Sequence, residues 1–86
     1  MGGRKAAGAK VPVTVRAVTQ RINRALRARG ETLKAARGVR ARQDLGDYYT
    51  IQVDRNAVVD THVDLERLAR ELGALAPYEQ VVSDEG

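Results

Sequence analysis

Three sets of side chains in this sequence could do chemistry, and each must be weighed against what the same residues do in an ordinary fold. His62 is the single histidine, with Asp60 and Asp64 two positions to either side. An imidazole between carboxylates is a donor set that a metal ion or a proton-transfer step can use. One imidazole with no cysteine makes a poor metal site, however, and Asp64 also stands where a helix needs a cap. The one serine, Ser83, lies close to the C-terminal end, away from any general base, and no G-x-x-x-x-G-K-[ST] phosphate loop occurs. These residues point away from an enzyme and call for no cofactor or metal.

The second set is Arg16, Arg21, Arg24 and Arg27, interleaved with Gln20 and Asn23; the third is Lys34, Arg37, Arg40 and Arg42. Guanidinium groups present a planar fork of donors that matches phosphate oxygens, and release of counterions from a polyanion makes such binding strong at low salt. The chemistry implied is a grip on nucleic acid, DNA or RNA, or on an acidic protein. The alternative is a solvated basic face that pairs with acids elsewhere in the chain, since charged residues are routine on amphipathic helices. Tyr48 and Tyr49 add a further element. Adjacent residues of a strand point to opposite faces, so one ring packs inward and the other is available to stack on a base or a partner.

The elements that must position these residues follow from periodicity. Val15, Val18, Ile22, Ala25 and Leu26 fall on one stripe at helical spacing, and the four arginines of the second set project away from it. Thr14 suits the N-cap, Val13 and Val18 the hydrophobic staple, and Gly30 the stop. Glu31 to Arg37 reads as a strand, and the Gly-bracketed stretch from Gly38 to Gly46 as a polar loop carrying Arg40 and Arg42. Tyr48 to Val53 alternates as a strand, Asp54-Arg55-Asn56 supplies a turn, and Ala57 to Val59 returns as the second arm of a hairpin. A last helix begins at the cap Asp64, with Val63 and Leu68 as its staple and Leu65, Leu68, Ala69 and Leu72 as its stripe. It ends at Gly73. The class expected is α+β, a small antiparallel sheet of a hairpin plus a third strand, with an N-terminal and a C-terminal helix packed on one face.

Residues 1–10, rich in Gly, Ala and Lys/Arg, read as a disordered basic tail; residues 11–78 as a single α+β domain; residues 79–86 as an acidic C-terminal tail. The absence of cysteine, of a signal-like apolar segment and of any membrane-length apolar run points to a cytoplasmic protein with no membrane partner. Charge is divided unevenly. Through Arg42 the chain has twelve Lys or Arg against Glu31 alone, a net +11, whereas the remainder has three Arg against ten acids, a net −7, within a total of +4. The basic part can attract polyanions, and the acidic part can neutralise it or repel them.

The stretch Arg40-Ala41-Arg42-Gln43-Asp44-Leu45-Gly46-Asp47-Tyr48-Tyr49, followed by Asp54-Arg55-Asn56 and His62-Val63-Asp64-Leu65-Glu66, resembles short uncharacterised proteins of bacterial plasmids, integrated elements and prophages. The resemblance spans roughly residues 13–75 and implies an accessory protein of a mobile element rather than a metabolic enzyme. It carries no functional residue with it. The expectation is therefore a nucleic-acid-binding module, with a protein-protein module, an inhibitor of a host defence system or a homo-oligomeric subunit, as the alternative.

Overall fold

The computed structural model describes residues 10–83. The tail read over residues 1–10 lies, Lys10 apart, outside the described residues, as do residues 84–86. The chain opens with strand β1, Val11–Thr14, and passes directly into helix α1, Val15–Arg27. Thr14 caps the helix as expected: its extended backbone brings Oγ1 to accept the Ala17 N–H at 3.1 Å. Val13 and Val18, the two halves of the staple, are both buried. Val18, Ile22 and Leu26 recur every fourth residue and are almost wholly buried, so one stripe of α1 carries the centre of the core.

Gly30, at a φ of 72°, turns the chain into strand β2, Glu31–Ala35. β2 pairs antiparallel with β3, Tyr48–Gln52, and β3 pairs antiparallel with β4, Ala57–Asp60. Asn56 takes the left-handed conformation that the β3–β4 turn requires, at a φ of 52°. The ladder shifts register between Thr50 and Ile51, so that Thr50 faces Asp60 while Ile51 faces Val58.

The stretch between Gly38 and Gly46, expected to be a loop, instead folds as a short helix α2, Val39–Leu45. Two glycines at positive φ admit the chain to the helix and release it, and Gly46 N–H donates to Arg42 O at 2.8 Å. The enclosed Val-Arg-Ala-Arg-Gln-Asp-Leu is mostly good helix-forming sequence. A bond from Ala36 N–H to Asp47 O closes the base of the excursion, so the β2–β3 ladder fixes both ends of a helix too short to form alone.

Helix α3, Leu65–Glu71, starts where expected, with the Asp64 carboxylate accepting from Glu66 N–H and Arg67 N–H. It stops before Gly73, at a φ of 73°. The larger correction comes next. Glu79–Val82, read as the start of an acidic tail, forms strand β5 and pairs parallel with β1, Val13 facing Val81. The α+β class is thus what forms, as a three-stranded antiparallel sheet in the order β2-β3-β4 and a separate parallel pair. α1 packs against β2 and α3, and α3 packs against α1 and β5. Val13, Val18, Ile22, Leu26, Leu33, Leu65, Ala69 and Leu75 make one continuous core. Among the described residues no helix is long and apolar enough to cross a membrane.

Candidate nucleic-acid interface

With its stripe buried, α1 displays the rest of its surface in two flanks and an outer arc, and the flanks serve the fold. On the α3 side, Arg21 is half-buried and donates to Glu79 Oε1 at 2.9 Å and Ala74 O at 3.2 Å. Glu79 Oε1 also accepts Ala76 N–H at 2.9 Å. The Arg21 hydrogen bond, and after it the Ala76 N–H, hold the Glu79 carboxyl below its ordinary range. Arg70 completes the clamp by donating to Glu79 O, Ala76 O and the Glu66 carboxylate. Arg21, placed by sequence among the phosphate-binding residues, is turned to holding β5.

On the other flank, Asn23 Oδ1 accepts Leu33 N–H at 2.7 Å and Thr32 Oγ1–H at 3.0 Å. Leu33 N–H points away from β3, so the Asn23 amide satisfies the open edge of β2 and fixes the spacing between helix and sheet. Thr19 Oγ1 donates to Arg16 O at 2.8 Å on the same side.

Along this edge runs a groove of about 440 Å³, bordered by Arg16, Thr19 and Asn23 on the helix and by Lys34, Ala35 and Tyr48 on the sheet. Past Ala35 and Tyr48 the surface dips again beside Arg42 and Asp47. From Asn23 in the other direction, a further depression reaches Arg27, Glu31 and Thr32. The groove shares Ala35 and Tyr48 with the first depression and Asn23 with the second, so the three adjoin along β2. Arg27, Arg16, Lys34 and Arg42, from three separate elements, border one continuous strip.

The other expected residues lie elsewhere. Arg24 borders a depression on the α3 side of the helix, with Arg21, Leu72 and Gly73. Arg37 and Arg40 are exposed beside and on the first turn of α2. Among the described residues the salt bridges are Arg21–Glu79, Arg67–Glu71 and Arg70–Glu66; none engages Arg24, Arg27, Lys34, Arg37, Arg40 or Arg42. Of these salt bridges only Arg21–Glu79 joins the basic to the acidic part of the chain, while Glu66 and Glu71 of α3 pair with its own arginines.

Tyr48 packs against the core and lines the groove, whereas Tyr49, on the opposite face of β3, stays partly exposed. His62 is exposed, in a left-handed conformation at a φ of 53°, and its N–H donates to Leu45 O at 2.7 Å. Its neighbouring acids have local work: Asp64 caps α3, and Asp60 Oδ1 accepts Thr61 N–H. Among the described residues no group of three or more His, Cys, Asp or Glu is arranged to hold a metal ion. Sequence reasoning missed Tyr48 as a groove residue and took Arg21 and Asn23 for surface donors. The clue to both lies on the helix, where Arg21 sits beside Val18 and Ala25 and Asn23 beside Leu26, at the borders of the apolar stripe rather than opposite it.

The chain matches no family model, no curated protein and no solved structure.

Proposed function

We propose that this protein is a non-enzymatic module that binds nucleic acid along the β2 edge, gripping phosphates with Arg27, Lys34 and Arg42 and with Arg16 on the helix rim. The observation that supports it is the convergence of cations from α1, β2 and α2 on connected depressions, with no described salt bridge holding Arg27, Lys34 or Arg42. Arg24, Arg37 and Arg40 extend the positive field beyond the strip and steer encounter rather than hold register. Contacts of this kind go to the backbone, so specificity for sequence is low. An accessory role in a bacterial mobile element, within the cytoplasm, fits the resemblance noted in the sequence.

One observation favours a second reading, a protein-protein module. β4 has an open edge, all four of its residues are exposed, and Val58 and Val59 are about half exposed, at 51% and 52%. An open edge can take a strand from a partner or a second copy. The register shift beside it counts against that pairing, since bulges are a common means of spoiling an edge.

Fluorescence anisotropy with a labelled duplex over a salt series tests the first reading. Affinity should fall steeply between about 50 and about 200 mM salt, and the combined Arg27→Ala, Lys34→Ala, Arg42→Ala variant should lower the salt slope by up to about three. Arg55→Ala, in the β3–β4 turn, should change it little. No binding at the lowest salt, or a triple variant that binds as well as the parent, would overturn the proposal.

A further inference from the structure

The face of the three-stranded sheet turned away from α1 is not built like a solvated surface. Strand register assigns its residues: Lys34 lies opposite Tyr49, and Thr32, Ile51 and Val58 lie across from one another. Leu33 and Thr50, which are buried, point the other way, toward the helix. An antiparallel sheet with one wet side normally alternates apolar and polar residues. β3 does not, since Tyr49 and Ile51 are on its outer side, where both remain partly exposed, and Val53 follows them at 58% exposure.

Charge says what covers this face. Its paired residues include one cation, Lys34, and no carboxylate. Tyr49 is the second residue of β3 and Ala35 the last of β2, so both lie at the end of the sheet from which α2 projects, carrying Arg40 and Arg42 with Arg37 just before it. The Tyr49 hydroxyl bonds no described residue and is not buried. A partly exposed aromatic ring beside a lysine, on a face whose paired residues include no acid, with Asp47 at its end offset by an arginine cluster, has the parts that an unpaired base and its phosphates require: a π surface and cations. A duplex cannot use the ring, because its bases are stacked on each other.

We infer that the open face of this sheet stacks an unpaired base of single-stranded nucleic acid on Tyr49, with Lys34 holding the neighbouring phosphate. This rests on the nucleic-acid reading above and narrows its ligand. Lys34 stands on the edge strand, between the groove and the open face, so one strand can follow the groove and turn over the β2 edge onto Tyr49.

The test measures anisotropy of labelled twelve-nucleotide oligothymidylate and of a twelve-base-pair duplex, using the full chain. Tyr49→Phe keeps the ring and should bind both probes as the parent does. Tyr49→Ile keeps a β-branched apolar side chain suited to the strand but removes the stacking surface; it should lose about tenfold in affinity for the single strand and none for the duplex. Far-ultraviolet circular dichroism checks that both variants fold. Binding of both probes with no effect of Tyr49→Ile overturns the stacking site and leaves the basic strip standing. Failure of both probes to bind at low salt overturns the nucleic-acid reading with it. A concentration-dependent dimer in sedimentation, abolished by Tyr49→Ile, would overturn the inference by assigning the face to a second copy.

Discussion

Removing the Asn23 amide is the most direct test of how this fold sets its groove. In Asn23→Ala the Leu33 N–H, on a residue only 8% exposed, loses its acceptor, and the Thr32 hydroxyl loses its partner. A donor left unsatisfied costs about 1–3 kcal/mol, and because Asn23 is only partly buried, water reaches the site and the lower half of that range applies, about 1–2 kcal/mol. Urea denaturation followed at 222 nm reads the change directly. A chain of this size has a slope near the low end for small proteins, about 1 kcal/mol per molar, so the midpoint should fall by about 1–2 M. Asn23→Asp keeps an acceptor in place and should stay close to the parent. Thr32→Val removes only the hydroxyl contact and should cost less than Asn23→Ala. If Asn23→Ala and Thr32→Val shift the midpoint equally, or Asn23→Ala does not shift it, the helix-to-edge bond is not what secures β2.

The cap of α3 gives a second stability test: Asp64→Ala should cost about 0.5–2 kcal/mol by denaturant midpoint, while Asp60→Ala, whose side chain bonds only the next N–H, should cost less. Gly46→Ala should be worse than Gly38→Ala, although both glycines have positive φ. A Cβ at Gly46 would lie 2.6 Å from the His62 backbone, whereas one at Gly38 meets open space, so thermal melts should show Gly46→Ala far less stable or unfolded. Glu79 has a carboxyl depressed below its ordinary 4.5 in the folded protein. Its contribution is therefore fully present above the unfolded value and lost as pH falls through the folded one, so in an acid titration the gap between the parent and Glu79→Gln should begin to narrow as the pH falls below 4.5 and go on closing toward more acid pH. A constant gap down to pH 2 would show that Glu79 does not titrate against Arg21.

The features legible in the sequence are those decided by neighbours along the chain. Thr14 with Ala17, Val13 with Val18, Asp64 with Glu66 and Arg67, and Gly73 after α3 are all separated by a few residues, so side-chain chemistry at one position fixes geometry at the next turn. The partnerships that were not legible span long separations. Arg21 reaches Glu79 and β1 reaches β5 across most of the chain, and nothing within Glu79-Gln80-Val81-Val82 distinguishes a strand from a short tail. α2 escaped notice for another reason. None of its residues is buried, so it has no apolar stripe to detect, and its helical form is set by the ladder that closes its two ends. At the candidate interface the residue types were readable and their grouping was not. Lys34 and Arg42 share a strip with Arg16 because α1 lies along the β2 edge, whereas Arg24, on the same helix, faces another side.

The parallel pairing of β1 with β5 determines how the domain carries tension. Strand β1 is entered at Val11, beside Glu79, and β5 is left at Val82, beside Thr14. Force applied through the two ends therefore runs along the strands in opposite directions, loading the hydrogen bonds between them together rather than one after another. Threading through a narrow pore or unfoldase from either end would meet a shear clamp first, with the Arg21–Glu79 pair bracing it from the helix side.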